Sequence, residues 1–339
     1  MTNTGRHATG IRMLLIAIGF IGILRSAEPT GEPLRILWQE PADLEHRDLL
    51  NGPGGKKDQP PTGPFEFLKE DAQGSNPKFT VRDSDGVKWK VKLGAEARPE
   101  TVATRFLWAM GYFADEDYFV ARAELTKVPR KGLKRLNGLI STDSIVRDAR
   151  FEREVKREKK DGVWTWKDSS LAGSRPLNGL RVLMSTLNNW DLKDENNAVY
   201  EVAAKNDDPE KRLYVVTDMG ATFATPNLVR GHEKSRGNLK KFEQSKFITR
   251  KTADTVDFAS PGRPTWLAMV NPKQYFMRVK LEWLGRNIPR ADAKWMGTLL
   301  ARLSPEQIRD AFKSAGYTPA EVEGFARVME WRIAELNAL

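Results

Sequence analysis

Asn189-Trp190-Asp191-Leu192-Lys193-Asp194-Glu195-Asn196 is the stretch on which the reading of this 339-residue chain turns. It places a carboxylate, an ammonium group and a carboxamide at positions 191, 193 and 196, directly after Pro176 to Asn188, whose apolar spacing predicts a helix. Twenty-two residues beyond Asn196 comes Asp218-Met219-Gly220. Between them, Ala198 to Val202 and Leu213 to Thr217 read as the two strands of a hairpin turning through Asn206-Asp-Asp-Pro-Glu210, which brings Asp218 back beside Asn196. Two separated carboxylates suit phosphoryl transfer, in which one orients the attacking hydroxyl and the other holds a metal on the phosphates. The plain alternative is a helix ending in an Asn/Asp-rich turn. The hairpin argues against it, because a simple turn has no use for a second aspartate returned to its side.

Upstream, three short strands are expected at Pro64 to Lys69, Lys78 to Arg82 and Val87 to Leu93. The third alternates strictly, with Val87, Trp89, Val91 and Leu93 on one face and Lys88, Lys90 and Lys92 on the other. A helix follows from Glu100 to Met110, with Pro99 at its first position and Gly111 as its stop, and then a strand at Tyr118 to Ala123. Beyond Asp218 the pattern is helical at 265–285, 291–303, 304–315 and 318–338. The last two open with Ser304 or Thr318 as cap, proline next, and Gln307 or Glu321 three residues on. Strands first and helices after predict an α+β fold.

A phosphate-binding site also needs a cation fixed by a carboxylate. Lys92, near the end of the alternating strand, is the candidate, with Glu100 as partner and Glu96 as rival; the bland reading is one of three lysines on a solvated face. Ala72 to Lys78 joins two strands where a phosphate-covering loop would lie. Backbone N–H groups around Gly74, the Ser75 hydroxyl and the Lys78 ammonium would reach phosphates, although one glycine also fits an ordinary hairpin loop.

Taken in order, Lys92, Glu100, Asp191-x-Lys193-x-x-Asn196 and Asp218-Met219-Gly220 resemble the motifs of the protein-kinase-like superfamily, nearest to its atypical branches, the HipA-type and the secretory-pathway (Golgi) kinases. Asn189-Trp190 stands where His-Arg is usual, Met219 replaces Phe, and no A-P-E motif follows. The resemblance runs from about Pro64 to the C-terminus. It implies a bilobal fold, with a small β-rich N-lobe carrying one helix (63–170) and a larger, mainly helical C-lobe (171–339), and ATP or another nucleotide with Mg²⁺ or Mn²⁺ between them. Asp191 would then orient or deprotonate the acceptor hydroxyl and Lys193 would stabilise the transferring group. Asn196 and Asp218 would coordinate the metal. The implied function is metal-dependent phosphoryl transfer from ATP to an acceptor hydroxyl on a protein, lipid, sugar or small molecule. The alternative is a pseudokinase-type module that binds a nucleotide or anionic partner without catalysis.

The remaining features bound the context. Arg6 and Arg12 precede the apolar run Met13 to Leu24, which reads as a signal peptide or N-terminal anchor over 1–27, implying export or membrane anchoring; Arg25 is poorly suited to a cleavage site. Residues 28–62, rich in Pro and Gly, read as a flexible tether with one short strand at Leu34 to Trp38. The formal charge is +10, or +7 without the first 27 residues, which favours anionic partners. Residues 127–160 read as a solvated, mixed-charge amphipathic helix or as a docking surface for an acidic partner, and Trp164 and Trp166 as part of a strand. Positive charge is mixed with acids and no aromatic-basic motif is present, so nucleic acid is not indicated as a partner. With no cysteine and only His7, His46 and His232, thiolate chemistry is excluded and a zinc site or serine triad lacks the residues to build it.

Overall fold

The computed structural model describes residues 34–55, 60–72, 76–154, 158–189, 191–203, 210–224, 236–259 and 265–339. In chain order the first half holds β1 (Leu34–Ile36), β2 (Phe65–Asp71), β3 (Lys78–Arg82), β4 (Lys88–Leu93), α1 (Ala97–Ala109), β5 (Phe113–Ala114), β6 (Asp117–Thr126), β7 (Ile145–Arg153) and β8 (Glu158–Lys160). Strands β2-β3-β4-β7-β6 close into a barrel, antiparallel except at the β2–β6 seam. Period-two alternation turns Phe65, Phe79, Val81, Trp89, Val91 and Phe151 into its core.

The second half holds α2 (Arg175–Thr186), β9 (Asn197–Val202), β10 (Lys211–Val216), α3 (Leu239–Glu243), β11 (Ile248–Lys251), β12 (Thr255–Phe258), α4 (Trp266–Val270), α5 (Pro272–Leu281), β13 (Ile288–Pro289), α6 (Arg290–Leu300), α7 (Pro305–Lys313) and α8 (Pro319–Asn337). The content is α+β, as expected. Both capping boxes form: Ser304 with Gln307 opens α7 and Thr318 with Glu321 opens α8. The helices enclose a second core in which Phe312 stacks on Phe325 at 5.0 Å and Phe223 meets both edge-on.

Helix α1 belongs to both parts. Eleven of its thirteen residues are buried, so it has no solvent face to speak of. It packs on β6 and β7 of the barrel, while Val102, Ala103, Phe106 and Leu107 sit in the helical core, Phe106 at 6.0 Å from the Phe312 ring. It starts at Ala97, two residues before Pro99. The first turn of a helix has no intrahelical partners for its N–H groups, so proline at the third position costs no hydrogen bond.

Four expectations are corrected. Residues 34–55 are not a tether: β1 pairs with β10, Leu37, Leu44 and Leu49 are buried, and the Gln307 amide donates to the Leu44 and Arg47 carbonyls at 2.9 and 3.0 Å. The described residues of 127–160 form no helix but a loop followed by β7 and β8, because Val146 and Phe151 are needed inside the barrel. Trp164 and Trp166 lie on irregular backbone as a buried edge-to-face pair, Trp164 stacked on Tyr214. The part after Asp218 is less helical than expected: β11, β12 and β13 form a sheet, and Asn271-Pro272 splits the first predicted helix into α4 and α5. Residues 1–27 lie outside the described residues. Among those described, no helix is long and apolar enough to cross a membrane.

The packing of residues 34–55 is directly testable. Leu44→Ala should lower stability by about 2–5 kcal/mol in urea denaturation, the cost of a buried leucine cavity. A tether residue would leave it within about 0.5 kcal/mol.

Candidate active site

The site forms where β4, the start of α1 and the end of the β9–β10 hairpin converge. Lys92 ends the exposed-side row of β4, yet its side chain is only 6% exposed, enclosed by carboxylates from three directions. Its Nζ lies 2.5 Å from Glu96 Oε2, 3.0 Å from Glu100 Oε2 and 2.8 Å from Asp218 Oδ1. Both sequence partners for Lys92 are therefore engaged, the rival Glu96 along with Glu100. Burial opposes the Lys92 charge, but the Glu100 and Asp218 carboxylates outweigh it and hold its pKa above the ordinary lysine value. At Asp218 burial pushes the carboxyl up, and the Lys92 ammonium more than reverses this, leaving it below the usual range.

Glu96 is a buried hub. The Asn76 amide donates to its Oε2 at 2.5 Å, and the Arg236 guanidinium pairs with its other oxygen. Gly220 packs against it so tightly that a Cβ there would fall 2.6 Å from the Glu96 Cβ and Cγ. That close approach is why glycine follows Asp218-Met219. Asp218 itself takes the left-handed conformation (φ 50°) with its carboxylate half-exposed at the cleft.

The stretch 189–196 is pinned from several sides. The Asn196 amide donates to the Asp191 carbonyl at 2.7 Å, which ties the two ends of the loop together. The Asn196 carbonyl accepts from both the N–H (2.9 Å) and the hydroxyl (3.0 Å) of Thr217, which fixes the hairpin's return next to Asp218. Lys193 Nζ sits 2.7 Å from Asp191 Oδ1. Asn189 accepts from the Asp191 N–H at 3.0 Å, and its amide faces the Met219 sulfur at 3.3 Å. Among the described residues, carboxylate oxygens of Glu96, Glu100 and Asp218 lie within 4.8 Å of one another, an all-oxygen set of the kind hard cations take.

Several supports were not legible in the sequence. Arg332 of α8 is fully buried and donates to the last carbonyls of α2, Ser185 at 3.2 Å and Thr186 at 2.8 Å, satisfying the helix end that feeds the loop. The backbone N–H of Trp166 bonds Asp194 (3.1 Å), and Trp164 Nε1 bonds the Val215 carbonyl (2.9 Å), so the tryptophan pair buttresses the loop and hairpin together. Arg150 of β7 lies opposite Lys92 in register and pairs with Asp117 (2.6 Å), Glu152 (3.1 Å) and Glu100 (3.4 Å). Its signal was the alternation of β7, masked by the high charge of the segment.

Beside this cluster opens a cleft of about 990 Å³, lined by Lys78, Lys90, Lys92, Glu152, Tyr200 and Asp218 among others. Lys78 faces Lys92 across the β3–β4 ladder and reaches Asp71 at 3.9 Å, so this third sequence candidate is at the cleft. Gly74 and Ser75 lie outside the described residues.

No protein-family model and no curated protein matches the sequence. Among solved structures, the chain is similar to the Helicobacter pylori proinflammatory kinase CtkA at 10% identity, covering 82% of this chain and 98% of that one, with a TM-score of 0.44. It is similar to the Golgi casein kinase with Mn/ADP bound at 10% identity, 82% and 72% coverage and a TM-score of 0.38. It is also similar to the Rio2 kinase–ADP/Mg²⁺–phosphoaspartate complex from Chaetomium thermophilum at 12% identity, 83% and 74% coverage and a TM-score of 0.30.

The buried charges set a pH dependence. Burial lifts Asp117 from 3.8 to about 7 even with Arg150 against it, so the fold favours its protonated form. Its contribution to stability is fullest below 3.8 and is lost as pH rises through about 7. Arg150→Met removes the cation that tolerates the ionised form. At pH 8 the variant should be less stable by about 3–5 kcal/mol, and the deficit should shrink as the pH is lowered towards 5, measured by urea denaturation across that range.

Proposed function

We propose that this protein is a kinase-like phosphotransferase with a two-lobed fold, the barrel with α1 as one lobe and the helical part as the other. It would bind a nucleoside triphosphate with Mg²⁺ or Mn²⁺ in the cleft between them. The observation that carries this reading is the convergence of Lys92, Glu100 and Asp218 at hydrogen-bond distance beside a loop whose Asn196 is tied to both Asp191 and Thr217. A purely structural ion pair gives no reason for Asp218 to sit half-exposed in left-handed backbone, whereas a metal-holding carboxylate needs that access. When bound, the metal neutralises phosphate charge. Lys92, held by Glu96 and Glu100, would contact the phosphates, Asp191 would take the proton of the acceptor hydroxyl, and Lys193 would balance charge on the group in transfer.

The rival, binding without catalysis, draws on one observation: the Asp191 carboxylate is engaged by Lys193 and Lys92 by three carboxylates. Mutation separates the two. ATP with Mg²⁺ or Mn²⁺ should raise the melting temperature by several degrees at ligand concentrations about 100-fold above Kd, and Asp218→Asn should abolish the shift. Asp191→Asn should keep the shift and lower autophosphorylation or ATP hydrolysis by about 10²-fold or more. A shift with no turnover in either protein would leave only the binding module; no shift with any nucleotide would end the phosphotransferase reading and leave a module that binds an anionic partner other than a nucleotide.

A further inference from the structure

Large apolar side chains left together in water need an explanation. Of the ten that are exposed among the described residues, five lie within fourteen consecutive positions on α4 and α5: Trp266, Met269, Val270, Phe276 and Val279. Met269 is 87% exposed, Val270 72% and Phe276 64%. The opposite sides of the same two helices hold the fold, with Leu267 of α4 and Arg278 of α5 buried.

The charge around this face is one-sided. Between Asp257 and Glu282 the chain carries no acidic residue, and its exposed cations among the described residues there are Lys273 and Lys280. Lys273 and Lys280 are exposed, and among the described residues neither has a carboxylate partner. Elsewhere the surface interleaves its charges in pairs such as Arg309–Glu323 and Lys313–Glu306. Exposed Trp, Phe, Met and Val framed by lysines is the composition of helices that lie in a bilayer interface. There the rings and aliphatic groups enter the acyl boundary and the ammonium groups meet anionic headgroups. A second copy of the chain fits less well, because a two-fold contact would set these lysines against each other. An acidic polypeptide would satisfy the lysines and leave Met269 and Val270 unexplained.

We propose that α4 and α5 dock this protein onto an anionic lipid surface. The protein would lie on the surface through this face without inserting a helix across it. The inner side of α5 gives the location meaning: Arg278 and Leu281 line a small cavity with Asn188, Asn189 and Leu192, next to Asp191. Docking would therefore set the bilayer on the side of the fold that carries the 189–196 loop. The proposal does not depend on phosphoryl transfer.

The absence of cysteine makes the test clean. In the full chain, Val270→Cys provides a single attachment point for an environment-sensitive fluorophore, and Leu139→Cys, exposed on the loop before β7, provides the reference. Each is mixed with vesicles of phosphatidylcholine alone or with about a third phosphatidylserine. The expected result is a blue shift at 270 but not at 139, on the phosphatidylserine vesicles only, that fades with salt. Combining Lys273→Glu with Lys280→Glu should weaken it about tenfold or more. Vesicle binding with no shift at 270 would assign the attachment to Met13–Leu24 and overturn the proposal. An equal, salt-insensitive shift on neutral vesicles would overturn it too. A shift produced by polyglutamate, or by raising protein concentration without lipid, would give the face to an acidic polypeptide or a second copy. Should labelling disturb the fold, co-sedimentation of the unlabelled double-glutamate variant with the same vesicles reads the same difference against the parent chain.

Discussion

An ammonium group taken out of water has to be met by carboxylates, and in this protein those carboxylates come from separate elements. Lys92 is on a barrel strand, Glu96 and Glu100 at the head of α1, and Asp218 at the end of a hairpin 126 residues away. Removing one partner from such a cluster costs about 3–5 kcal/mol, a large share of a domain's net stability. The barrel, α1 and the hairpin are thus held to one mutual arrangement by the same charges that would handle phosphate. Stability and the proposed chemistry draw on one cluster.

The second constraint is that α1 is buried on nearly every side. A helix with a solvent face can slide or tilt at little cost, whereas one packed between two cores is located by both. Glu100 therefore has a position set by Phe106 and Leu107 in the helical core as much as by Lys92. The loop 189–196 is located in the same way, from behind. Arg332 closes the end of α2, and Trp164 and Trp166 brace the loop and the hairpin. None of these three touches the cleft, yet each fixes the backbone that presents Asp191 and Asn196.

Much of this was readable beforehand where local physics decides it. The alternation of 87–93, the proline-led caps at Ser304 and Thr318, and the hairpin between Asn196 and Asp218 are encoded within a few residues, and each formed within a residue or two of its expected span. Lys92 meets Glu100, the partner its position suggested, while the contact of Asp218 with the same ammonium group was not expected from the sequence. The failures share one cause. Residues 34–55 look like a linker because Pro41 and the Gly52-Pro-Gly-Gly run break them up; only the packing beside α7 gives Leu44 and Leu49 a place to be buried. Residues 145–153 look like a solvated helix because their charges are dense. In the barrel, Arg150 and Glu152 neutralise one another and leave Val146 and Phe151 free to alternate inward.

By itself, then, the sequence determined the elements whose period and caps are local, such as β4, α2, α7, α8 and the β9–β10 pair, and which polar residues fall at motif spacing, since period, capping and turn chemistry act over a few residues. Only the tertiary structure decided which charges are paired. That Glu96 joins Glu100 on Lys92, that Gly220 is glycine because Glu96 leaves no room for a side chain, and that the apolar face of α4 and α5 is left in water are outcomes of burial. Burial depends on what the rest of the chain places alongside, and no local pattern carries that information.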